Sequence, residues 1–62
     1  MYELFFERAT HRGTGFAFPC DEEGYVSLLK LTPHQVANYS NCISNKWGEY
    51  LPPVVRLATP VL

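Results

Sequence analysis

A helix declares both of its ends between Leu31 and Gly48, and the rest of the chain has to be arranged around it. Thr32 suits an N-cap, Pro33 fits the first helical position, and Gln35 stands where a capping-box partner reaches back to the cap. Leu31 and Val36 are spaced as a hydrophobic staple, and Gly48, just after Trp47, offers a left-handed stop. On a 3.6-residue repeat Val36, Tyr39, Ile43 and Trp47 form one apolar stripe, which predicts an amphipathic helix with a face to bury.

A chain of 62 residues accommodates one domain, 1–62, and buries only about 60% of the surface it exposes when unfolded. Its hydrophobic content of 47% is too high for a disordered segment, so a compact core is expected. A core this small usually relies on a disulfide, a metal or a partner subunit. The net charge of −1 and the scattered positions of Arg8, Arg12, Lys30, Lys46 and Arg56 provide no field that would gather phosphate, so nucleic acid is not favoured. No apolar run reaches the roughly 20 residues needed to span a bilayer, and Glu3 and Glu7 replace the basic start of a signal peptide. The expected location is cytoplasmic, with Cys20 and Cys42 as reduced thiols.

Before the helix, Tyr2, Leu4 and Phe6 alternate with Glu3, Phe5 and Glu7, the pattern of a half-buried strand with its first set facing the core. Phe5 reads as an isolated exposed aromatic. His11 to Gly15 is a reversal, and Phe16, Phe18 and Cys20 define a second strand whose aromatic side pairs across from Leu4 and Phe6. Pro19 lacks an N–H, so that strand either ends there or runs along an edge at that point. Asp21 to Gly24 is a second turn, after which Tyr25 to Leu28 reads as a third short strand. Beyond the helix, Pro52 and Pro53 enforce an extended connection, and Val54 to Thr59, bounded by Pro53 and Pro60, reads as a final edge strand.

The expected fold is α+β in the order β-β-β-α-β. A small antiparallel meander carries one helix on one face, and a C-terminal edge strand pairs within the chain or with a second subunit. Its expected core is Tyr2, Leu4, Phe6, Phe16, Phe18, Val26, Leu28, Val36, Tyr39, Ile43 and Trp47.

Among chemistry-bearing residues, His11, Cys20, His34 and Cys42 are the types a zinc site uses, but no two are near neighbours, so no metal is expected. A Cys20–Cys42 disulfide is disfavoured by compartment. Asp21, Glu22 and Glu23 beside Gly24 read as a solvated turn rather than a cation site, and the Asn38-Tyr39-Ser40 triplet lies inside a helix, where glycosylation is discounted. With no cysteine or serine set beside an oriented base, the sequence names no catalytic residue and no cofactor, and an enzyme is not expected.

Two surfaces stand out instead. Tyr50, Leu51, Val54, Val55, Leu57, Val61 and Leu62 make an apolar, proline-bounded tail, a candidate interface for a homodimer or another protein partner. His34, Asn38, Asn41 and Asn45 line one stripe of the helix without a charge, a candidate recognition face. Arg12 through Phe18, with Gly13, Gly15, Phe16 and Phe18, resembles over this one strand the glycine-aromatic strand with which cold-shock and related RNA-binding folds stack bases. The alternative expectation is a nucleic-acid-binding accessory protein using Arg8, Arg12, Phe16 and Phe18, as that resemblance implies, or the asparagine stripe of the helix. A helix nevertheless follows where those barrels continue in sheet, and the leading expectation is a small non-enzymatic interaction module that self-associates through its tail.

Overall fold

The computed structural model describes residues 1–58 and contains three antiparallel strands and one helix, a small α+β fold. Strand β1 spans Tyr2–Glu7, β2 spans Gly15–Cys20, a 3₁₀ turn covers Leu28–Lys30, helix α1 runs Pro33–Ser44, and β3 is Val54–Leu57. The sheet order is β2-β1-β3, so among the described residues both outer strands leave one edge free.

The first strand is central, whereas a meander would have placed the second there. Backbone chemistry explains the difference. β1 contains no proline and can hydrogen-bond on both sides, but β2 carries Pro19. Arg8 N–H donates to Thr14 O at 2.9 Å, so alternation along the ladder directs the main-chain groups of residues 14, 16, 18 and 20 toward β1, and those of Gly15, Ala17 and Pro19 outward. The missing N–H therefore falls on the free side, where it is not needed. Leu4 pairs with Phe18 and Phe6 with Phe16, as the alternation predicts.

Tyr25 to Leu28 does not form the expected third strand. Pairing stops after one bridge, Cys20 with Val26. The Asp21 carboxylate accepts the N–H groups of Glu23 at 2.9 Å and Tyr25 at 3.0 Å, which fixes a tight turn, and the chain then winds into the 3₁₀ turn through Lys30 N–H to Ser27 O. Too few residues separate that turn from the helix start for a ladder to extend. Leu28, expected in the core, is consequently exposed, while Val26 packs partly against it.

The helix begins as its sequence prescribes. Thr32 Oγ1 accepts the Gln35 N–H at 3.2 Å, and Gln35 Oε1 accepts the Thr32 N–H at 2.8 Å, a complete capping box. Its end comes earlier than Gly48, at Asn45, whose left-handed φ of 43° and N–H to Asn41 O at 3.0 Å close the last turn.

The buried face is also displaced. Cys42 is buried and Gln35, Val36, Asn38 and Tyr39 are half-buried, whereas Ile43 is 56% and Trp47 78% exposed. The covered side of the helix thus keeps Val36 and Tyr39 of the Val36-Tyr39-Ile43-Trp47 stripe and turns toward Cys42 in place of Ile43. Aromatic geometry accounts for this. The Tyr39 ring meets Phe18 edge-on at 5.2 Å and Phe6 at 6.3 Å, while Phe6 and Phe18 meet at 6.0 Å. Tyr39 at the centre of that trio puts Cys42, one turn on, directly over the sheet, where a small side chain allows close approach. Trp47 lies beyond the helix end altogether.

The core among the described residues is therefore Leu4, Phe6, Phe18 and Cys42, with Phe16, Cys20, Val26, Leu31, Tyr39 and Tyr50 around it. Both cysteines are free thiols. On the opposite face of the sheet Phe5 is not isolated: the Arg56 guanidinium lies 4.0 Å from its ring centroid and is ion-paired with Glu3. No helix covers that face.

Candidate interaction surface

The C-terminal strand pairs within its own chain, antiparallel to β1, with Tyr2 opposite Leu57 and Phe5 opposite Val54. Ala58 N–H donates to Met1 O at 2.9 Å, so the main-chain groups of Val54, Arg56 and Ala58 face β1. Those of Val55 and Leu57 point outward and meet no strand among the described residues. By the same alternation Pro53 presents a carbonyl but no N–H on this edge. Farther back, Leu51 N–H donates to Glu7 O and Arg8 bridges Tyr50. Between these contacts and the Phe5–Val54 pair lie two residues on one strand, Pro52 and Pro53, against Phe6 alone on β1. This is a bulge, and prolines occupy it because the extra residue has no ladder bond to make.

Val54 is 55%, Val55 39% and Leu57 63% exposed, so three of the expected interface residues share a bare edge. Helix α1 sits over β2 rather than over β3. The turn at Gly24 reaches across: a Cβ built there would come 3.0 Å from Val55 Cγ2 and 3.6 Å from Leu4 Cδ1. Val61 and Leu62, the other tail residues expected at the interface, lie outside the described residues.

Tyr50 and Leu51, also expected at that interface, serve the chain's own fold. Tyr50 packs on Phe16 with centroids 6.2 Å apart and lies against the Cys42 thiol; burial raises the proton affinity of both groups. The corner that delivers Tyr50 is held by Asn45. Its side-chain amide donates to Tyr50 O and accepts from Tyr50 N–H, each at 3.1 Å, imitating a strand partner. Asn45→Ala is expected to lower stability by about 1–2 kcal/mol in urea denaturation, from the left-handed cap together with the two hydrogen bonds. Asn45→Gly should recover the conformational part and not the rest.

That role engages the amide of Asn45 within the fold. Of the expected stripe His34, Asn41 and Asn45 are exposed and Asn38 is half-buried. The aromatic platform is likewise occupied: Phe18 is buried, and Phe16 stacks on it at 6.3 Å, 20° from parallel. Arg8 lies 6.0 Å from the Phe16 ring centroid, and Arg12 pairs with Glu7 at 3.2 Å. The Glu7 carboxyl is held below its usual range, first by the Gly13 N–H at 2.8 Å and then by Arg12. These cations fasten the hairpin loop.

Two exposed apolar groups have no counterpart in the sequence expectations. Met1, Tyr25 and Val26 line an open groove of about 590 Å³ with Cys20, Asp21 and Lys30, next to the bare Leu28 and Leu29. Trp47 projects from the corner after the helix with Lys46 Nζ 5.5 Å from its ring centroid. A signal existed for the first: in Leu28 to Leu31 only the residue next to the Thr32 cap can act as staple, which leaves the others without a partner. Among the described residues no helix is long and apolar enough to cross a membrane. No family model matches the chain, and no curated protein or solved structure matches it either.

Proposed function

We propose that the chain is a small non-enzymatic protein-interaction module that associates with a second copy of itself through the free edge of β3, in the reducing environment of the cytoplasm. The observation that carries this reading is the exposed edge itself: Val54, Val55 and Leu57 are exposed on a strand whose outward N–H and C=O groups have no partner among the described residues. This edge is short and begins at the Pro52-Pro53 bulge, but among the described residues no lysine and no inward charge blocks the outward main-chain groups of Val55 and Leu57. The net charge of −1 sets little repulsion between copies. The buried thiol, Cys42, faces a phenol rather than a base, which favours binding over nucleophilic chemistry.

The test is sedimentation equilibrium across micromolar to millimolar concentration. Wild type should pass from monomer to dimer, with weak affinity because a single edge buries less than a standard interface. Leu57→Lys should weaken association at least about tenfold while leaving the circular dichroism spectrum unchanged, since a charge at an edge opposes strand addition. A wild-type monomer at millimolar concentration, or undiminished dimerisation of Leu57→Lys, would refute the reading.

A further inference from the structure

Resting on that self-association, we infer its register: two copies of β3 pair antiparallel with the two-fold axis at Val55, placing Arg56 of each copy opposite Val54 of the other. Only residues whose main-chain groups point outward can form the narrow hydrogen-bonded pairs across the seam, and on this edge those are Pro53, Val55 and Leu57. Two symmetric registers then join described residues with four hydrogen bonds. One centres on Val55: the two Val55 residues exchange both bonds, and each Leu57 N–H donates to the other copy's Pro53 O. The other centres on Arg56, with Val55 and Leu57 exchanging bonds in both directions.

Side-chain chemistry separates them. Residues 54 and 56 share the sheet face that holds Glu3 and Phe5, and across the seam they fall at the close, non-hydrogen-bonded positions. Centring on Arg56 sets two guanidinium-bearing chains directly opposite, a destabilising like-charge pair. Centring on Val55 sets each Arg56 stem against a valine and leaves its head over Phe5 and on Glu3, where it already lies. Pro53 fits this choice too. Its absent N–H faces Leu57 O at the end of the seam, the one outward group of Val55 and Leu57 that this register leaves to water. On the helix side the two Val55 side chains meet, and each Leu57 lies against Pro53, covering the apolar groups that the helix leaves bare.

The unmodified protein tests this by isotope-filtered NMR on a mixture of labelled and unlabelled chains at dimer-forming concentration. The expected result is an intermolecular contact between the Val54 and Arg56 Hα protons, with none between the two Arg56 Hα protons. An Arg56–Arg56 contact between copies, or a dimer without intermolecular contacts at residues 54–57, overturns the register even though the chain associates. Absence of any dimer overturns instead the reading on which the register rests.

Discussion

Phe6→Ala is expected to leave most of the chain unfolded at room temperature. Phe6 is 2% exposed, lies on the central strand, and meets Phe18 and Tyr39 edge-on at 6.0 and 6.3 Å, so it joins the sheet to the helix. Truncating a buried phenylalanine costs about 3–5 kcal/mol, and a domain this small rarely has more than about 3–5 kcal/mol in total. Far-UV circular dichroism with urea titration would show a lost or strongly shifted transition. Ile43→Ala is the informative companion. The apolar stripe read from the sequence would bury Ile43, but the residue is 56% exposed, and the substitution should change stability by only about 0.5 kcal/mol. Equal effects from the two variants would mean that the helix presents a different face to the sheet.

That contrast marks the boundary between what a sequence states locally and what only packing decides. Both partners of the helix cap, Thr32 and Gln35, lie within one turn of each other, and their bonds form as spaced. Alternation in Tyr2 to Glu7 likewise sets which side chains face the core, because a one-residue slip would reverse every one. Rotation of the helix has no such local determinant. Ile43 and Trp47 are more apolar than Asn38 and Cys42, yet the fit of Tyr39 between two phenylalanines fixes the angle, and that fit exists only once the sheet has formed.

Proline is informative about edges and silent about order. Pro53 and Pro60 mark the last strand as an edge, while Pro19 leaves open whether the second strand ends there or runs along an edge; both are outer strands of the sheet. Taken together they imply that the proline-free strand is central, a step that the alternating pattern of each strand considered singly does not suggest. Tyr25 to Leu28 shows the opposite case: strand propensity is present, but the Asp21 carboxylate commits the preceding backbone to a turn. The candidate interface was half legible for the same reason. An apolar, proline-bounded tail pointed to Val54, Val55 and Leu57, while nothing in the sequence foretold that Asn45 would draw Tyr50 inward to cover Cys42.

Gly15→Ala should be nearly as damaging as the loss of Phe6, although it removes no contact. A Cβ at Gly15 would lie 1.9 Å from the carbonyl oxygen of Phe6, 2.9 Å from its carbonyl carbon and 3.0 Å from Glu7 Cα. All three atoms are backbone of the central strand, so no side chain can swing aside, and relief requires β1 and β2 to separate where Gly15 pairs with Glu7. Backbone strain and the ladder bonds lost with it should lower stability by about 3 kcal/mol or more. Gly13→Ala isolates steric clash from conformational preference. Gly13 has a φ of 88° but nothing within 4 Å of a built Cβ, so its substitution should lower stability by only about 1–2 kcal/mol. Urea midpoints of the two variants decide the matter, and equal destabilisation would show that the close approach of β2 to Phe6 is not what Gly15 provides. If the larger loss is found, the missing side chain at Gly15 is what lets β2 lie close enough to β1 to bring Phe16 and Phe18 onto the core.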